Sequence, residues 1–289
     1  MDRSSRLWVH EKAQSALILV LLAALVARAG AHHPATLAVG VLAALQAAVL
    51  LGLRPRRREW VQKVRLASAY FVGLGLFSVT ASVVPALELP LHDGTLAAID
   101  RFCLGETPAV WLIAWARPWL TELMSAFYLA YLLYFHGALC WALLQPVQRA
   151  RRLFERMFTA LALGVAGYLL VPAVGPTKAL AGIFSQPLVG GPITAANDWI
   201  VHHGSAVYDV FPSLHVFITC VILDHDRQEH PRRFRFMVPV ALGLFASTLY
   251  LRYHYAIDLV AGAIWFLAFR GAWRLSDARD AKSMAAATT

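Results

Sequence analysis

Eight apolar runs separated by short basic blocks leave this chain few ways to fold. They fall at roughly 13–29, 35–53, 66–85, 119–144, 156–172, 206–224, 236–251 and 254–270. A membrane-crossing helix needs about 20 apolar residues. In lipid every backbone polar group must be paired internally, which restricts spans to helices or closed barrels. Runs this long, without period-two alternation, read as helices. The last three are short, and polar residues stand at their ends, where neighbouring helices can shield them from lipid. The expected fold is therefore an all-α polytopic membrane bundle. Composition agrees, since 59% of the 289 residues are hydrophobic, 15% are charged and the mean hydropathy is +0.57, outside the soluble globular range.

The basic residues set the orientation. Twenty-one of the 26 Lys and Arg fall at the two termini and in the stretches 54–65, 145–157 and 226–235. Cytoplasmic loops carry such an excess, so an even number of spans with both termini cytoplasmic is expected. This block pattern also accounts for the net charge of +9 without a nucleic-acid partner, and none is expected. The run Arg54–Arg58 is an orientation signal first and an anionic-lipid contact second. The N-terminus resembles a signal peptide with small residues at Ala27–Ala29, but the next apolar run follows at once, so an uncleaved first span is expected. Cys103, Cys140 and Cys220 are far apart and in no C-x-x-C pair, which suggests neither disulfides nor a thiolate metal site.

Two connections on the outer side are long. Residues 86–118 mix apolar residues with scattered charges, as in an amphipathic segment at the interface. Residues 172–205 are rich in Pro and Gly and read as a loop. By this division 1–60 holds a first pair of spans, 61–275 a six-span core and 276–289 a disordered tail.

Three polar clusters lie at span mouths on that outer side: VGPTK at 174–178, FPSLH at 211–215 and RYHYAID at 252–258. Pro212 suits a first helical position, leaving the amides of Ser213, Leu214 and His215 free to bind phosphate at a positive helix end. The Ser213 hydroxyl adds a donor, and His215 titrates near neutrality. His254 and Asp258 are four apart, so on a helix the carboxylate would accept one ring N–H and leave the other nitrogen unprotonated. Such an imidazole is a nucleophile or a base. Arg252 suits a phosphate oxygen, and Lys178 can supply a second cation.

These residues resemble the type 2 phosphatidic acid phosphatase superfamily. The similarity lies in P-S-L-H at Pro212–His215 and in S-T-x5-H-x3-D from Ser247 to Asp258. With IDRFCLGETPAVWL at 99–112, the chain also resembles the inositol phosphorylceramide synthase-like branch. Leu214 stands where the signature has Gly, narrowing the space beside the phosphate. Thr248 stands where it has Arg, and Arg252 would substitute one helical turn later. The resemblance implies a six-helix phosphatase-type core with two extra N-terminal spans. His254 would attack phosphorus, Asp258 would orient it, and His215 would act as acid and then base. Arg252, Lys178, Ser213 and the Leu214 amide would hold the phosphoryl oxygens, with no metal and no cofactor. The partners implied are a phosphorylated lipid substrate and membrane lipids, with the oligomeric state open.

The implied activity is a lipid phosphate phosphohydrolase acting through a phosphohistidine. The alternatives are transfer of a phospho-head group to an alcohol or lipid acceptor, and a non-catalytic lipid-binding or transport role. A facial triad of His215, His254 and Asp258 on a metal competes chemically, without a paired-histidine motif to support it. His32, His33, His202 and His203 read as interfacial residues, with His202 or His203 a candidate at the substrate entrance. Asp100, Asp198 and Asp209 read as solvated carboxylates, or as ligands of a polyol head group.

Overall fold

The computed structural model describes residues 7–53, 56, 58–184 and 186–286, with side chains to residue 276. Among the described residues twelve α-helices run in the order α1 Val9–Arg28, α2 Pro34–Gly52, α3 Glu59–Ala86, α4 Asp93–Leu104, α5 Pro108–Trp111, α6 Pro118–Leu144, α7 Val147–Leu170, α8 Pro176–Ala179, α9 Pro192–Gly204, α10 Leu214–Glu229, α11 Pro231–Tyr250 and α12 Ala256–Ala286. A 3-10 turn at Leu112–Trp115 follows α5, and no strand occurs among the described residues. The all-α polytopic bundle is thus observed.

Eight long helices match the eight expected spans, and six of them, α1, α2, α3, α6, α7 and α12, are long and apolar enough to cross a membrane. α10, at 16 residues, is too short, and the end that α11 shares with it is charged. Asp226 of α10 accepts from Tyr134 Oη at 2.8 Å and from Arg233 Nε at 2.6 Å, so the charge is paired within the bundle.

α7 is the central post. Its Phe154, Met157, Phe158 and Val165 are buried against Leu66 of α3, Leu139 of α6 and Phe217 of α10. A second apolar cluster joins α1, α2 and α3 through Leu25, Val39 and Leu76. Leu51, Phe71 and Leu133 project from the outer surface of the bundle at 77%, 64% and 78% exposure, as lipid-facing side chains must.

Two expectations about connections change. Residues 172–205 are not merely a loop, since they contain α8 and the thirteen-residue α9. Pro192 at the first position of α9 is a local start signal, but the partner of its amides comes from α6, outside any local window. The amphipathic stretch forms α4 and α5, with Leu96, Ala97 and Asp100 buried and Phe102 exposed. The expected tail boundary at 276 falls inside α12, whose backbone continues to Ala286, and residues 287–289 lie outside the described residues. Of the basic run at 54–58, Arg54, Pro55 and Arg57 also lie outside them.

α1 is tied to α3 by a buried ion pair. Arg65 Nε and Nη2 each reach a Glu11 oxygen at 2.6 Å, and the guanidinium lies 3.7 Å from the Trp8 ring centroid. A bidentate, stacked pair of this kind satisfies both charges, whereas removing one partner strands the other. Arg65→Met is expected to destabilise the protein by about 3–5 kcal/mol. Glu11→Leu combined with Arg65→Met should recover most of that loss, as read by thermal unfolding in detergent.

Candidate active site

Carboxylates from distant helices build the backbone around the three polar clusters. Asp100 of α4 accepts from the amides of Ala256 at 2.9 Å and Ile257 at 3.0 Å, satisfying two of the unpaired donors that begin α12. It is 1% exposed, not solvated as expected. Burial pushes its carboxyl up from the ordinary value, and the two amides pull it back. Asp93 accepts from Val174 N at 3.0 Å, Gly175 N at 2.9 Å and Tyr255 Oη at 3.0 Å, clamping the VGPTK turn to the start of α12. Gly175 has φ +81°, and a Cβ there would meet the Tyr253 carbonyl oxygen at 2.7 Å, so only glycine fits. Glu122 of α6 accepts from Gly191, Ile193 and Thr194 amides at 2.6–3.0 Å and starts α9.

α12 begins at Ala256, so His254 precedes the helix and does not share a helical face with Asp258 as expected. Asp258 instead occupies the third helical position and accepts the Tyr255 amide at 2.8 Å, half of a capping box. The same Oδ2 lies 3.4 Å from His254 Nδ1, a long contact that still orients the ring. The carboxylate can only accept, which puts a proton on Nδ1 and leaves Nε2 bare.

FPSLH also folds differently from the expectation. α10 starts at Leu214 with Ser213 as N-cap, so Pro212 lies one residue outside the helix. The Ser213 amide is not free, because it donates to the Asp258 carbonyl at 3.0 Å, and the Ser213 hydroxyl is buried without a partner. Leu214 does not simply crowd the site. Its side chain enters a notch at Gly164 of α7, where a Cβ would lie 2.2 Å from Leu214 Cδ2.

α11 ends at Tyr250, so Arg252 is not on the helical face of Thr248 as expected. The Tyr253 amide donates to Thr248 O at 3.0 Å and the Arg252 amide to Leu249 O at 3.1 Å, the two bonds of a Schellman cap. Arg252 occupies the left-handed position of that cap at φ +66°, where glycine is usual. That conformation costs a non-glycine residue about 1–2 kcal/mol. Thr177 offsets it, with its amide at 2.9 Å and its Oγ1 at 2.6 Å both donating to the Arg252 carbonyl. The guanidinium carbon lies 4.1 Å from the Phe184 ring centroid and Nη1 donates to Gln186 O at 3.1 Å.

The two histidines meet. His215 Nδ1 lies 3.1 Å from His254 Nε2, and since the latter is the bare nitrogen, His215 Nδ1 carries the proton of this bond. Tyr128 and Tyr131 of α6 flank His215 with ring centroids 4.9 and 4.8 Å away. The pair opens onto a cavity of about 600 Å³ that Lys178, Leu214 and Arg252 also line, whereas Ser213 and Asp258 lie behind it. His202 lines the same cavity, as do Asp198 and Asp209. Asp209 is occupied by Ser205 Oγ at 3.0 Å and the Ala206 amide at 3.1 Å. His33 accepts the Ala35 amide at the start of α2, and His203 Nδ1 donates to Trp199 O at 2.7 Å, which leaves both as local structure.

A family model described as the PAP2 superfamily matches residues 94–271, which include both histidines, Asp258, Arg252 and Lys178. The chain belongs to the PAP2 superfamily. That membership makes it a phosphatase- or phosphotransferase-type enzyme of the membrane. Comparison with curated proteins returns no match, and neither does comparison with solved structures. In this PAP2 chain Asp93, Glu122, Thr177 and the two tyrosines were not legible as site residues. Tyr128 and Tyr131 carry a weak signal, three-residue spacing within an apolar run, whereas Asp93 and Glu122 act on segments 69 to 162 residues away.

Thr177→Val removes only the Oγ1 bond to the strained Arg252. It is expected to lower kcat/KM by a factor of about two to ten, the value of one hydrogen bond. Thr177→Ser should keep wild-type turnover.

Proposed function

We propose that this PAP2 protein is a lipid phosphate phosphohydrolase that works through a phosphohistidine at the outer membrane face. The observation that carries the reading is the 3.1 Å His215–His254 pair, backed by Asp258, on the wall of a cavity that Arg252 and Lys178 share. A bare Nε2 held by a carboxylate on the far ring nitrogen is an activated nucleophile. His215 is protonated on the nitrogen that faces it, as a general acid requires.

In the proposed reaction the phosphoryl group enters between the two rings. The Nε2 lone pair of His254 forms the N–P bond as the P–O bond to the lipid breaks, and the leaving oxygen takes the Nδ1 proton of the His215 imidazolium, which becomes a neutral imidazole. Water then gives a proton to the neutral His215 and attacks phosphorus, the N–P bond breaks, and phosphate leaves. Arg252 and Lys178 neutralise the phosphoryl oxygens, whose charge persists throughout. Ser213 contributes through its backbone, which ties α10 to Asp258. No metal and no cofactor is required by this scheme. The outer-face assignment rests on the basic residues, which concentrate at the opposite ends of the spans.

A second reading is phosphotransfer to an alcohol, as the resemblance to the inositol phosphorylceramide synthase-like branch suggests. It is favoured by Asp198, an exposed carboxylate on the cavity wall that suits the hydroxyls of a polyol acceptor.

The test is turnover of a panel of phosphorylated lipids by purified protein, with and without a polyol. Phosphate release by wild type, abolished in His254→Ala and about 10²–10⁴-fold slower in His215→Ala, is expected. The rate should be bell-shaped in pH, since one imidazole must be neutral and the other protonated, and a chelator should leave it unchanged. A new phospholipid formed only when the alcohol is present would select phosphotransfer. Binding without turnover of any of these lipids would select a lipid-handling protein.

A further inference from the structure

The histidine pair accounts for only one end of the cavity. The other end is apolar and lies between α3 and α6, with Leu161 and Tyr168 of α7 behind it. Leu74, Phe77 and Ser78 of α3 form one wall, at the three- and four-residue spacing of a single helical face. Tyr131, Leu132 and Phe135 of α6 form the other. The cleft is continuous with the phosphate end because Tyr131 belongs to both: it lines the apolar part and packs on His215.

Two observations say what lies in it. The rim faces lipid, since Ser78 is exposed and the neighbouring Phe71 and Leu133 are 64% and 78% exposed on the bundle surface. The depth is limited, because Tyr70 Oη meets His136 Nε2 at 3.0 Å and joins the two walls. His136 Nδ1 lies 2.8 Å from Leu132 O and must donate to it, so Nε2 accepts from Tyr70 and both ring nitrogens are satisfied. From Tyr128 beside the histidines to His136 is eight residues of helix, about 12 Å. One leaflet of the hydrocarbon core is about 15 Å deep. The family match begins at residue 94, so the α3 wall lies outside the matched region.

We propose that α3 and α6 form a binding cleft for one hydrocarbon chain of the phosphorylated lipid whose phosphate sits at His254. The chain enters sideways from the membrane past Ser78, and Tyr70 with His136 sets how far it runs inside the protein. α3 is then a specificity helix of the site. This inference rests on the proposed lipid phosphate chemistry for its ligand, and it adds where the tail goes and which residues select it.

Ser78→Trp fills the mouth of the cleft from an exposed position that folding tolerates, and Leu74→Trp fills it from within. Alkyl phosphates from hexyl to hexadecyl, with p-nitrophenyl phosphate as a tailless reference, are to be assayed in one detergent. The ratio of hexadecyl to p-nitrophenyl kcat/KM is expected to fall at least tenfold in both variants, and a ratio equal to wild type would overturn the proposal. A hexadecyl phosphate with a mid-chain diazirine provides a readout that needs no turnover. Cross-links at residues 74–78 and 131–136 of wild type, reduced in Ser78→Trp, are expected, and cross-links elsewhere or unchanged would overturn the cleft. Cross-links there without hydrolysis of any phosphate would uphold the cleft and reject the phosphohydrolase reading.

Discussion

The site depends on carboxylates that accept backbone amides. Asp100 holds the first two amides of α12, Asp93 holds the turn before α8, and Glu122 holds the start of α9. Each takes donors that a helix or turn leaves unpaired, and each comes from another part of the chain. In a membrane bundle those donors have little water to turn to, so the pairing fixes where each segment begins. The start of α12 at Ala256 in turn leaves His254 outside the helix with its ring against Asp258 and His215.

Strain is placed at the same point. Arg252 occupies a glycine position of the cap that ends α11, and two donors from Thr177 hold its carbonyl there. The consequence is that Arg252 and His254 are only two residues apart, in the short link between α11 and α12, and both face one cavity. VGPTK therefore has two tasks. Lys178 lines the cavity, and Thr177 keeps the arginine backbone in its unfavourable conformation.

Much of the fold was legible because lipid imposes it. Apolar length located all eight long helices, six of which are long and apolar enough to cross a membrane. What failed was local. Pro212 looked like a helix start, but the Ser213 amide is taken by the Asp258 carbonyl and the helix begins later. Arg252 looked like a continuation of α11, but the Schellman cap intervenes. α9 was hidden because Glu122, which caps it, lies 69 residues before the first amide it accepts. Spacing singled out the histidines and Asp258, which the fold brings together. It could not find the roles of Asp93 and Asp100, whose targets are mostly peptide groups that every residue carries.

The central claim is that His254 is the group that phosphorus reaches. Wild-type protein mixed briefly with a phosphorus-labelled lipid phosphate, quenched in alkali and digested, should yield one labelled peptide with the phosphate on the His254 ring. His254→Ala should yield none. Turnover in wild type with no protein-bound phosphate at any quench time, or with the label on another residue, would contradict the account.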